Sequence, residues 1–128
     1  MSTAVFVIAR EVFRDEEYEQ PLQVLERAGV EVTTASTQPG ECIGKFGSRA
    51  MATMSVEDAS TLPWDAVVFV GGAGAASFFD DPAAHALARA ALDRGAVLAA
   101  ICIAPSTLAH AGLLDGVRAT AFSSQEDD

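Results

Sequence analysis

Cys102 is one of two thiols in the chain, and the residues around it give it a defined setting: Ala96-Val97-Leu98-Ala99-Ala100-Ile101-Cys102-Ile103-Ala104-Pro105. An apolar run of strand length follows Gly95, and Pro105 suits the first turn of a helix but not a central strand. Cys102 is therefore expected where a strand turns into a helix. Such a sharp turn crowds the backbone, so the positions two before and two after a nucleophile must be small; here they are Ala100 and Ala104. The first unsatisfied N–H groups of the helix, and the positive end of its dipole, would favour thiolate over thiol. The competing reading is a core thiol, since free cysteine is among the most often buried residue types.

A second stretch with chemical meaning is Gly71-Gly72-Ala73-Gly74, directly after the strand-like stretch Asp65 to Val70. Glycines at the carboxyl end of a parallel strand let the backbone approach a ligand. The pattern lacks the Lys-Ser/Thr of a phosphate loop and the spacing of the dinucleotide fingerprint, so nucleotide binding is not expected. Cys42 lies in a turn-rich stretch with no evident base and reads as structural or incidental. His85 and His110 fall on helices flanking the sheet and read as ordinary helix residues rather than bases.

The elements that must position these groups follow from the apolar periodicity. Ala4 to Ile8 is a short continuous apolar run, suited to a strand covered on both faces. After the polar stretch Arg10 to Glu16, Tyr18, Leu22, Leu25 and Ala28 recur at helical spacing, with Pro21 in the first turn and Gly29 as the stop. Val30 to Ala35 alternates as a strand, completing a βαβ unit. Thr37 to Ser48 carries Pro39, Gly40, Gly44 and Gly47 and reads as a turn-rich excursion with a small hairpin. Ser55 suits the N-cap of a short helix through Ala59. Asp65 to Val70 is a second buried strand. Asp81-Pro82 opens a helix whose apolar face is Leu87, Ala88, Ala91 and Leu92, and which delivers the chain to the Cys102 strand. Beyond it a short helix from Pro105 to Ala111 and a strand from Val117 to Phe122 are expected, with a polar, acidic end from Ser123.

Composition bounds the rest. The chain has 128 residues, 50% of them hydrophobic, enough for one core and short for two, so residues 1–128 are read as one domain. The apolar runs fall short of a membrane span and the N-terminus lacks the pattern of a signal peptide, which makes a soluble cytoplasmic protein the expectation. Cysteines sixty residues apart suit neither a metal knuckle nor a disulfide scaffold, so no metal is expected. Eighteen acidic against eight basic residues, a net charge of −10, argue against nucleic acid and anionic membranes as partners.

With these pieces placed, the chain resembles the ThiJ/PfpI superfamily, related to class I glutamine amidotransferases. The resemblance rests on Phe13 to Pro21, Asp65 to Gly72, the Ala99-Ala100-Ile101-Cys102 elbow, and Leu108-Ala109-His110-Ala111-Gly112-Leu113-Leu114. It implies an α/β fold: a flavodoxin-like three-layer sandwich with a mostly parallel central sheet. It puts the nucleophile at Cys102 and a glutamate beside it from the start of the first helix; counting back from Pro21, Glu17 matches best, with Glu16 as fallback. A protonated buried carboxylic acid can hydrogen-bond a thiolate and stabilise it. The plainer alternative is a first-turn acid that satisfies the helix dipole. The resemblance further implies an oxyanion site from the backbone N–H groups of Gly72 and Ile103, with Gly71 beside them.

Three departures stand out. Many members follow the nucleophile with His, whereas this chain has Ile103; Phe122 stands where the human deglycase-like branch has a histidine; and the family continues with a further strand and a final helix past the position of Asp128. The covering layer on one side would then be absent or supplied by a partner subunit. The implied function is a cofactor-free Cys/Glu enzyme acting on small reactive carbonyls or glycated groups, of glyoxalase III or deglycase type, with a homodimer as the family-level expectation. The alternative is a redox-sensing or chaperone-like stress protein working through oxidation of Cys102. Peptidase activity is disfavoured, because no histidine is evident to protonate a leaving amine.

Overall fold

The computed structural model describes residues 2–101, 104 and 107. Its elements in chain order are β1 (Thr3–Val7), β2 (Glu11–Phe13), α1 (Asp15–Arg27), β3 (Glu31–Ser36), β4 (Gly40–Gly44), β5 (Arg49–Ala52), β6 (Met54–Ser55), α2 (Val56–Ala59), β7 (Ala66–Phe69), a 3₁₀ segment (Ala73–Phe78), α3 (Pro82–Asp93) and β8 (Val97–Ala100). A five-stranded sheet runs β6-β3-β1-β7-β8 with every pairing parallel. This is the parallel α/β sandwich that the continuous apolar runs anticipate, because both faces of β1 and β7 must be covered.

The two faces have separate cores. On one, Val5, Val7, Val67 and Phe69 pack with Val56, Ala59, Trp64, Phe78, Leu87 and Ala88 from α2, α3 and their connections. On the other, Phe6, Ile8, Val68 and Val70 meet Phe13, Tyr18, Cys42, Ala50 and Ala52. Tyr18 anchors α1 there: its ring sits edge-on to Phe6 and Phe13, and its hydroxyl lies 2.7 Å from the Thr34 hydroxyl. The helix caps match the residues at their ends. The Ser55 hydroxyl accepts from Asp58 N–H, the Asp81 carboxylate accepts from Ala83 N–H, and Gly29 and Gly95 carry the chain out of α1 and α3.

The turn-rich stretch is a hairpin, as its glycines predict: β4 and β5 pair antiparallel, with Cys42 opposite Ala50. The stretch Arg10 to Glu16 is not simply a polar connection. Glu11–Phe13 forms β2 and pairs parallel with β4, making a second sheet in the order β2-β4-β5. No apolar periodicity marks so short a strand; its partner lies about thirty residues away in the chain.

Among the described residues no helix is long and apolar enough to cross a membrane. The expected helix from Pro105 to Ala111 and strand from Val117 to Phe122 lie outside the described residues, apart from Thr107.

Candidate active site

Glu17 stands in the first turn of α1, with Asp15 and Glu16. One turn of helix points its three acids in different directions, and the structure gives each a different partner. Glu16 pairs with Arg14 in solvent, and that hydrogen bond lowers its pKa. Asp15 is buried and accepts from the N–H groups of Phe46 and Ser48, each at 3.0 Å. Burial opposes its charge, but the hydrogen bonds from Phe46 and Ser48 outweigh burial and hold its pKa below the ordinary carboxylate value. Glu17 instead turns toward the carboxyl end of β7, where its Oε1 accepts from Gly71 N–H at 3.2 Å. Here burial prevails over that hydrogen bond and raises the pKa, so Glu17 keeps its proton to higher pH than an ordinary glutamate.

The turn that receives Glu17 is clasped from the same side. Gly71 C=O accepts from Arg14 N–H at 2.9 Å, tying the start of α1 to the end of β7. Gly72 has φ 103°, and a Cβ there would lie 2.5 Å from Arg14 N and 2.6 Å from the Val12 carbonyl oxygen. Only glycine allows this approach. Gly71 thus gives its N–H to Glu17 and its carbonyl to Arg14, and Gly72 lies against β2.

The strand half of the Cys102 elbow is in place. β8 pairs with β7 in the register Phe69↔Ala100, and Ile101 N–H continues the ladder to Phe69 C=O at 3.1 Å. Ala104 N–H then closes a turn onto Ile101 C=O at 3.0 Å, and Thr107, buried, is helical. The strand end and the return of the chain thus flank position 102. Cys102 and Ile103 themselves lie outside the described residues, as does His110. Cys42 is buried in the second core beneath the hairpin, in keeping with a structural thiol. His85 lies on α3 with its Nε2 2.6 Å from the Phe79 carbonyl oxygen, a local helix-start contact. Among the described residues no three His, Cys, Asp or Glu side chains converge on a metal position.

Asp15 is the residue that sequence reasoning passes over. It looks like another first-turn acid, and only the hairpin brought against it makes it a buried anchor.

Fold and site together define a parallel α/β sandwich with a half-buried acid and a glycine turn at the carboxyl end of its strand β7. Residues 2–128 match the DJ-1/PfpI family, and the chain belongs to it. It is 34% identical over 123 residues to an uncharacterised protein of Methanocaldococcus jannaschii, covering 95% of this chain and 60% of that one. It is 31% identical over 124 residues to the deglycase PfpI of Pyrococcus furiosus, covering 97% of this chain and 74% of the relative. The crystal structure of a ThiJ/PfpI domain protein from Brachyspira murdochii superposes with a TM-score of 0.93 at 30% identity, covering 98% of this chain and 72% of that one. The chain therefore spans between three fifths and three quarters of the length of these relatives.

Proposed function

We propose that the chain is a cysteine-dependent enzyme acting on small reactive carbonyls or glycated groups, with Cys102 as nucleophile and Glu17 as its proton-transfer partner. The observation that supports this reading best is the seat of Glu17: a carboxyl on the Gly71 N–H at the end of β7, with a pKa raised by burial. An acid so placed can be protonated beside a thiolate and still exchange its proton during turnover. Relatives named deglycase in the same family support the substrate class.

For a 1,2-dicarbonyl the steps balance without an added reductant or oxidant. The thiolate attacks the aldehyde carbon, forming a C–S bond, and the resulting alkoxide takes the proton of Glu17 to give a hemithioacetal. In the anionic stage the N–H groups of Gly72 and Ile103 would hold the oxygen. Glu17, deprotonated at this point, moves a proton from the former aldehyde carbon to its neighbour through an enediol, so that the first carbon is oxidised and the second reduced. Water then cleaves the thioester, returning the thiol and releasing a 2-hydroxy acid.

The test is lactate formation from methylglyoxal with no glutathione present, by the chain and by Cys102→Ser and Glu17→Gln. Lactate from the parent and from neither variant supports the reading; no turnover of methylglyoxal or of its thiol adducts overturns it. A second reading, oxidation of Cys102 in a stress-response role, draws on two relatives: general stress protein 18 of Bacillus subtilis, and the Toxoplasma gondii DJ-1 structure described as oxidised. Mild peroxide followed by mass spectrometry separates the two thiols; equal modification of Cys42 and Cys102 would remove it.

A further inference from the structure

An open groove of about 560 Å³ lies at the carboxyl ends of the central strands, walled by Arg10, Glu11 and Val12 after β1, Thr37 after β3, and Gly74 and Ser77 after β7. Its place is set by topology. β1 lies between β3 and β7, and the chain runs outward through β3 and β6 before crossing back to β7 on the other side. Loops leave in opposite directions at this reversal, opening the crevice in which parallel α/β sheets hold ligands. The groove shares β2 and the 71–74 turn with the Glu17 seat.

Two further observations fall on the same wall. Val12 has φ 59°, a left-handed conformation that a β-branched residue resists. It is held there by its neighbours: Ile43 N–H donates to Arg10 C=O, Lys45 N–H to Phe13 C=O, and Arg14 N–H to Gly71 C=O. Strain maintained by surrounding hydrogen bonds is characteristic of ligand clamps and active sites. Arg10 is exposed at the rim, and its guanidinium has no carboxylate partner among the described residues. An exposed cation with no carboxylate partner among the described residues, at the mouth of a concave and mainly apolar wall, is chemically suited to an anionic group on a ligand.

We infer that this groove is a substrate subsite in which Arg10 holds the carboxylate of a carbonyl-bearing or glycated small molecule while its apolar portion lies along Val12 and Ala73. The inference rests on the function proposed above and names the part of the substrate that the Cys/Glu pair does not touch. A monoanion fits better than a dianionic phosphate, because Glu11 shares the rim and the whole chain repels negative charge. Arg10 is thus a specificity residue, acting on the bound group and not on the reacting carbon.

The test uses two matched substrates, the methylglyoxal adducts of N-acetylcysteine and of its amide, which differ only in the carboxylate. The expected result is a kcat/KM for the carboxylate adduct about tenfold above that for the amide, lost in Arg10→Gln through KM and partly kept in Arg10→Lys, with the amide adduct unaffected. Equal turnover of both adducts, unchanged in Arg10→Gln, overturns the subsite and leaves the proposed function standing. Calorimetry with N-acetylglycine gives a readout without turnover. Binding by the parent that is lost in Arg10→Gln supports the subsite even if neither adduct reacts, in which case the proposed function fails alone; absence of that binding together with absence of turnover overturns both. Inorganic phosphate competing as strongly as N-acetylglycine would overturn the choice of a carboxylate.

Discussion

Gly44 and Asp15 are in such close contact that a Cβ at Gly44 would lie 2.5 to 2.8 Å from both carboxylate oxygens of Asp15 and the carbon between them. The same carboxylate receives the Phe46 and Ser48 N–H groups, so the hairpin turn is folded around a buried anion two residues before Glu17. Replacing Gly44 with Ala must push either the hairpin or the start of α1 aside. A loss of about 1–3 kcal/mol in urea unfolding is expected.

Asp15→Asn keeps the shape but removes the charge that two backbone donors face, and should cost about 1.5–3 kcal/mol. The pH dependence follows from the direction of its shift. A pKa below the ordinary 3.8 means that the native state binds fewer protons than the unfolded state, so this stabilisation is present above pH 3.8 and is lost as pH falls through the lower folded value. The parent should lose stability steeply in that acid range, and Asp15→Asn should show a flatter profile in the same titration.

Glu17 behaves in the opposite sense. Its folded pKa is raised, so its contribution is greatest below the ordinary 4.5 and declines as pH rises through the folded value, where a half-buried acid must ionise. Glu17→Gln keeps an acceptor for Gly71 N–H and should fold normally while abolishing this decline. Under the proposed function its lactate formation should fall by about 10²–10⁴-fold. Normal stability with unchanged turnover would remove Glu17 from the mechanism.

Val12→Gly relieves the left-handed strain and should raise stability by about 1 kcal/mol, after allowing for the greater freedom of glycine in the unfolded chain. The same change removes the apolar wall of the groove, so preference for the carboxylate adduct should weaken as the denaturation midpoint rises. A fall in stability instead would mean that the Val12 side chain packs more than it strains.

The framework is legible along the chain. Continuous apolar runs at Ala4–Ile8 and Ala66–Val70 suit strands covered on both sides, and Ser55, Asp81-Pro82, Gly29 and Gly95 mark helix ends through local backbone chemistry. The strand leading to Cys102 is legible for the same reason, and the family resemblance directs attention to Glu17. The roles of three consecutive acids come from packing between distant segments. Asp15, Glu16 and Glu17 are nearly equivalent as first-turn residues, and only the hairpin, Arg14 and the end of β7 make them an anchor, a surface pair and an acid whose pKa is raised by burial. β2 likewise has no local signature, because Glu11–Phe13 becomes a strand through hydrogen bonds to β4, and with it Val12 takes the strained conformation that shapes the groove. Apolar periodicity and helix caps act over a few residues and can be read along the chain, whereas the state of a buried charge or a strained backbone depends on groups that only folding brings near.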